Sequence, residues 1–201
     1  MKKIIIAIDS FKGCLTSAEA GKAAEKGIKS INPSCHTSVI PIADGGEGLL
    51  DVLITATKGK YITLSAHGPL MKMAKTHYGL SGNGRTAIIE MAAISGLPLV
   101  PIEQRNPMLT TTFGTGELIK DALNKGCRNF IIGIGGSATN DAGLGMLQAL
   151  GFRFLDKSGH TLGTGGQIME AVANIDTSGI HPALRETHFM VACDVANPFY
   201  G

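Results

Sequence analysis

Two apolar runs that do not alternate constrain this chain more than any other feature. "KIIIAI" (3–8) and "FIIGI" (130–134) are each continuous, and each ends in a loop rich in glycine or acid, "DSFKG" and "GGSATNDAG". A strand without period-2 alternation suits burial on both faces of a parallel sheet, with helices above and below. The segments that follow these loops have helical texture. "TSAEAGKAAEKGIKSI" offers Thr16 or Ser17 as N-cap, with Ala and Glu in the first turn and lysines later. "HTSVIPIAD" (36–44) then reads as a second strand whose Pro41 belongs at a sheet edge or a strand end, and residues 48–57 read as a second helix.

From about residue 60 the texture changes. "SGNG" (81–84) between two strand-like arms predicts a hairpin. A helix from about Thr115 to Lys125, with Thr115 as N-cap and Glu117 in its first turn, precedes the strand at 130–134. A helix at 140–150 follows, with Met146 and Leu150 directed to the core, and "HFMVACD" (188–194) reads as a last strand. The expected fold is therefore α/β in two domains, residues 1–62 and 63–201, with mostly parallel sheets and an added β-hairpin. Such sheets bind ligands beyond the carboxyl ends of their strands.

Composition narrows the function. Glycine supplies 27 of 201 residues, where an average chain has roughly 7%, and the glycines sit at strand-to-helix joints without a period. A net charge of +2, 5% aromatic residues and no tryptophan leave out the basic, stacking surface of a nucleic-acid binder. Cys14, Cys35, Cys127 and Cys193 form no C-x-x-C, which points to a reducing, cytoplasmic setting. The apolar run after "MKK" stops at Asp9, short of the ~7 residues of a signal-peptide core, and no segment reaches the ~20 apolar residues of a membrane span. The six histidines show no i, i+4 metal spacing, which assigns them to core or solvated positions.

Polar chemistry collects at the expected strand ends. Asp9, Asp44 and Asp194 each follow an apolar run directly, and so does the loop at Gly135. Asp9-Ser10 with Lys12 and Gly13 is either a capped turn or a phosphoryl site that works through charge and hydrogen bonds. Asp44 and Glu47, within "DGGEG", either form a glycine turn into a helix or bring two carboxylates close to a ligand. "GIGGSATNDAGLG" places glycines ahead of a helix whose first N–H groups lack partners within the helix, which favours an anion. Asn140 reads as a cap; Asp141 is either a cap or part of the site. The same loop fits G-x-G-x-x-G/A through Gly133, Gly135 and Ala138, with Asp156 placed for a ribose, so a nicotinamide-dependent oxidoreductase stays as an alternative. A non-catalytic ligand-binding chain is the other.

Taken in order, "AIDSFKGCLTSAEA", "PIADGGEGLLDVL", "TTTFGTGELI", "GIGGSATNDAGLGMLQALG" and "VACDVANPFYG" resemble the bacterial glycerate kinase family over essentially the whole chain. The resemblance implies ATP- and Mg²⁺-dependent phosphorylation of a hydroxyl of glycerate, on two α/β domains with the active site in the cleft between them. Within that frame Asp44, Lys12 and Asp194 are the candidate catalytic residues, and Asp44 and Asp194 the candidate Mg²⁺ ligands. Asp9, Ser10 and Glu47 are candidates for the substrate, and Gly135, Gly136, Ser137 and Asp141 for the nucleotide. The family's proteins continue beyond "CDVANPFYG". Residues beyond Gly201 are thus expected to complete the first domain, and the 201-residue chain alone to lack kinase activity and to self-associate as homo-oligomers through an open apolar strand edge.

Overall fold

The structure is a computed structural model and describes residues 3–11, 13–43, 45–46 and 48–193. Strand β1 (Lys3–Ile8) leads into helix α1 (Ser17–Ile31) and returns as strand β2 (His36–Pro41), parallel to β1. Thr16 caps α1 in a reciprocal box with Glu19, as the sequence predicts. The buried Ser17 hydroxyl donates to Ile8 O at 2.6 Å and accepts from Ile42 N at 3.0 Å, so one side chain ties the carboxyl ends of both strands together. Pro41 ends β2. The expectation of burial on both faces fails for β1, where Ile6 is 6% exposed but Ile5 is 60% exposed. Two strands and one helix make only one covered face among the described residues.

Helix α2 (Leu49–Thr57) leads to strands β3 (Lys60–His67), β4 (Met73–Leu80) and β5 (Thr86–Glu90), which form an antiparallel meander. The hairpin predicted at "SGNG" joins β4 to β5, with Asn83 Oδ1 accepting from Arg85 N and from the Ser81 hydroxyl, and with Gly84 at φ 69°. The short helix α3 (Ala92–Ser95) and then α4 (Phe113–Asn124) precede strand β6 (Asn129–Gly133). Helix α5 (Leu144–Ala149) and a small antiparallel pair, β7 (Arg153–Leu155) with β8 (Asn174–Asp176), come before the last strand, β9 (His188–Ala192).

The larger sheet has the order β3-β4-β5-β6-β9, with β5, β6 and β9 parallel. Three strand pairings in the described residues are parallel and three antiparallel, so the fold is mixed α/β where mostly parallel sheets were expected. The difference comes from β3, an extra antiparallel strand beside the hairpin, and from the β7–β8 pair. At β5 burial on both faces does hold. Ala87 and Ile89 pack into the cluster that contains Leu118, Ile119 and Phe130, while Ile88 packs with Leu50 and Ile54 of α2. Since neighbouring residues of a strand face opposite ways, α4 and α2 cover opposite faces of the sheet.

Two helix starts differ from expectation. Helix α4 begins at Phe113 after Thr112, and Thr115 is a fully buried helical residue whose hydroxyl meets that of Ser95 at 2.8 Å. Helix α5 begins only at Leu144, leaving Asn140 exposed and outside it. Asp141 accounts for both shifts, as its contacts below explain. Among the described residues no helix is long and apolar enough to cross a membrane.

Candidate active site

The three parallel strands end level with one another, Glu90 beside Gly133 and Gly133 beside Ala192. The backbone of Gly45 and Gly46 lies directly against these ends. A Cβ on Gly133 would sit 2.6 Å from Gly45 O, one on Gly135 would sit 2.8 Å from Gly46 Cα, and one on Gly45 would sit 2.8 Å from Ala192 O. No side chain fits at any of the three positions, so glycine is required by close approach. The fold thereby brings together the "DGGEG" and "GIGGSA" loops, 87 positions apart when counted from Gly46 to Gly133. Lys12, Asp44, Glu47 and Asp194, all expected in the site, lie outside the described residues.

Glu90 was not among the expected residues, and it holds this junction from one side. Its Oε1 accepts from Leu50 N at 2.8 Å, and its carboxylate also accepts from Gly48 N, so it caps α2 from another element. Burial pushes the Glu90 carboxyl above its ordinary value; nearby Asp51 adds to the rise, and the two backbone N–H groups oppose it. The carboxylate opens onto a cavity of about 480 Å³ between the start of α1, α2 and the sheet, lined by Ser10, Ser17, Asp51, Thr55 and His77 among others. Asp9 is half-buried beside this cavity, and its Oδ1 accepts from Ser10 N at 2.6 Å. Tyr61 donates its hydroxyl to Asp51, and that hydrogen bond, first among its causes, pushes the tyrosine up to about 12.

Asp141 is placed differently. It is 1% exposed and accepts N–H bonds from Thr112 (2.8 Å), Gly143 (3.1 Å) and Gly145 (3.2 Å), together with the hydroxyls of Thr111 and Thr112. Met146 N donates in turn to the Thr112 hydroxyl at 2.9 Å. The first N–H groups of α5, read from the sequence as vacant for an anion, are therefore satisfied within the protein. The same carboxylate fixes the start of α4, which is why Thr112 and not Thr115 begins that helix.

The stretch Gly135-Gly136-Ser137 is held separately, on the segment that follows α3. Gly136 O accepts from Leu97 N at 3.0 Å, and Ala138 N donates to Ser95 O at 2.8 Å. Gly136, at φ 71°, is the residue of this loop that needs a left-handed backbone. The oxidoreductase alternative loses its geometry here. Among the described strands β7 pairs with β8, outside the sheet of β6, and the Asp156 carboxylate is bound to the N–H groups of Ser158 and His160 in a turn. Among the described residues no three His, Cys, Asp or Glu side chains group closely enough to hold a metal. Mg²⁺ in phosphoryl-transfer sites typically needs only one or two carboxylates, the rest being phosphate oxygens and water.

Residues 4–201 match the model of the glycerate kinase family. The chain is 53% identical to the glycerate kinase of Bacillus subtilis strain 168 and 49% identical to the glycerate 2-kinase of Escherichia coli K12, over 99% of its own length and 52% of theirs. A glycerate kinase 2 crystal structure from Salmonella typhimurium LT2 superposes with a TM-score of 0.89 at 49% identity, covering 98% of this chain and 53% of the other. The chain thus spans about half the length of the relatives it matches. With the family model spanning nearly every residue and these identities over the whole length, the chain belongs to the glycerate kinase family.

Proposed function

We propose that this chain carries the core of an ATP-dependent kinase that phosphorylates a hydroxyl of glycerate. The observation that supports this best is the seam where Gly45-Gly46 meets Gly133, Gly135 and Ala192 with Glu90 alongside, because it gathers the ends of three parallel strands and two glycine loops at one point. Phosphoryl transfer needs positioning and charge stabilisation more than covalent chemistry by the protein. In this reading Gly135, Gly136 and Ser137 offer loop N–H groups to the nucleotide phosphates, and Lys12 neutralises charge. Asp141 acts through the loop it holds. Asp9, Ser10 and Glu47 contact glycerate in the cleft between the β1–α1–β2 unit and the larger sheet, to which α2 and β3 also belong.

Asp44 and Asp194 are the residues we assign to Mg²⁺, which when bound would spread charge from the phosphates; with Glu90 they form the set from which the hydroxyl's proton acceptor is drawn. Glu90 suits that task because its desolvation raises its affinity for a proton. We place the protein in the cytoplasm, acting on a small molecule, and as a homo-oligomer. The test, on the full-length protein in which all turnover is read, is release of ADP from ATP–Mg²⁺ on addition of glycerate, beside thermal shift with ATP, ADP and glycerate separately. ADP release indifferent to glycerate overturns the reading. A nicotinamide-fluorescence titration that shows binding would revive the oxidoreductase.

A further inference from the structure

A second cavity, of about 230 Å³, shares no lining residue with the first among the described residues. The described lining of the larger cavity carries Glu19, Asp51 and Glu90, whereas that of this one has no carboxylate and carries Arg105. Arg105 Nε donates to Val100 O at 3.3 Å, which anchors the guanidinium while leaving its other N–H groups available, and it makes no ion pair among the described residues. Around it stand Asn106, Ser137, Thr139 and Asn140, all bearing hydrogen-bonding side chains. Asn106 Oδ1 accepts from Met108 N at 3.0 Å, which commits the amide oxygen and leaves the NH₂ as a donor.

The wall is rigid. Ala138 is pinned on both sides, its N–H to Ser95 O and its carbonyl by the Thr110 hydroxyl at 2.7 Å. Its volume lies below the ~300–1,000 Å³ of pockets that enclose drug-sized ligands, so it suits a small anionic group more than a whole nucleotide. Ser137 also ties it to the seam, since Gly135, two residues earlier, is the glycine that abuts Gly46.

We propose that Arg105, with Asn106 and the 137–140 loop, forms an oxyanion subsite of this protein. Resting on the kinase reading, the oxyanion is the carboxylate of glycerate or a phosphate of the nucleotide, both of which match the planar fork of a guanidinium. The experiment is calorimetric titration of the wild type, Arg105→Ala and Arg105→Lys with glycerate, ATP and inorganic phosphate, each alone, with melting temperatures measured beside them. Arg105→Ala is expected to weaken one class of ligand about 10- to 100-fold. Loss for glycerate alone identifies the carboxylate; loss for ATP and phosphate together identifies the phosphate. Arg105→Lys should recover part of the affinity, and all melting temperatures should agree within about 2 °C.

Equal affinities of wild type and Arg105→Ala for all three ligands, or no binding by either, overturn the subsite. So does a general weakening accompanied by a lower melting temperature in both variants, because that is a structural role. A full-length wild type that binds these anions through Arg105 yet releases no ADP on mixing overturns the kinase reading and leaves the subsite standing.

Discussion

Asp141 and Glu90 are both carboxylates that receive the first N–H groups of a helix from outside that helix, yet their surroundings differ. Asp141 is surrounded by five donating groups from two chain segments and is 1% exposed. Among the described residues Glu90 receives backbone N–H groups from Leu50 and Gly48 only, and its carboxylate lines a cavity, where burial raises its proton affinity. A buried charge whose lone pairs are all taken has no capacity left for a ligand; one that is half satisfied and desolvated can exchange a proton. The first carboxylate builds the loop, and the second is available to chemistry.

The largest effect should come from Asp141→Ala. It leaves two buried N–H groups, one half-buried N–H group and two hydroxyls without their acceptor, and each unsatisfied buried donor costs about 1–3 kcal/mol. A loss of at least ~3 kcal/mol in denaturant unfolding is expected, with activity falling in proportion to unfolding. A variant that stays folded and merely loses nucleotide affinity would break the comparison, since Asp141 would then be a ligand-binding group.

Glu90→Gln tests the other half. Glutamine keeps an oxygen for the Leu50 N–H and nearly the same volume, so the α2 cap survives while the ionisable group is gone. Glycerate-dependent turnover is expected to fall about 10²- to 10⁴-fold, the usual range for removing a proton-transfer group, with the melting temperature at neutral pH unchanged or raised. Full activity in this variant would make Glu90 a cap and nothing more. Stability adds a signed check. A carboxyl raised above its ordinary value of 4.5 contributes stability that is fully present below that value and is lost as pH rises through the folded value. The wild type should therefore lose ground to Glu90→Gln as pH is raised from 4 to 8, and a difference moving the other way would show that the N–H bonds outweigh burial.

Smaller in free energy is Gly135→Val. Its side chain would meet the Gly46 backbone, and such overpacking costs about 1–3 kcal/mol. The displacement it forces between the two glycine loops should cost turnover about 10²-fold, as misplacements near 1 Å do. Gly27→Ala, where a Cβ meets nothing within 4 Å, is the matched control and should leave turnover unchanged.

Which of these residues could be read from the sequence follows from how local their partners are. The α1 cap at Thr16, the turn at "SGNG" and the parallel pair β1–β2 depend on neighbours within one supersecondary unit, and they were legible. Glu90 follows the apolar "AII" as Asp9 follows "IIIAI", so the signal was present. The hairpin at "SGNG" masks that signal, and only the register of β5 with β6, and of β6 with β9, makes Glu90 a parallel strand end. Arg105 lies in an irregular segment with no periodic cue and comes to line one cavity with Ser137 through tertiary folding alone. Asp141 was legible as a cap of the helix after it, but not as the acceptor for Thr112, 29 residues earlier, and Thr115 was misplaced as a consequence. A run of β-branched residues reports β-propensity whether or not a second layer covers it, and at Ile5 the described residues supply one layer only.

The smallest effect belongs to a third cap, one open to water. Thr16 and Glu19 form their reciprocal box at the exposed start of α1, the Thr16 hydroxyl accepting from Glu19 N at 3.2 Å while Glu19 accepts from Thr16 N at 2.9 Å. Here water can replace any lost partner, so Thr16→Ala should cost only about 1 kcal/mol, well below Asp141→Ala although each mutation removes a cap. The backbone bond from Thr16, ahead of its hydroxyl, holds the Glu19 carboxyl below its ordinary value of 4.5. A lowered carboxyl contributes stability above that ordinary value and loses it as pH falls through the folded value. Thr16→Ala removes only the hydroxyl's share of that lowering, so the gap between wild type and Thr16→Ala should narrow on acidification in thermal melts, while any gap due to Glu90→Gln shifts in favour of the wild type. A Thr16→Ala loss as large as that of Asp141→Ala would mean that burial does not set the strength of these caps, and the contrast between Asp141 and Glu90 would lose its physical basis.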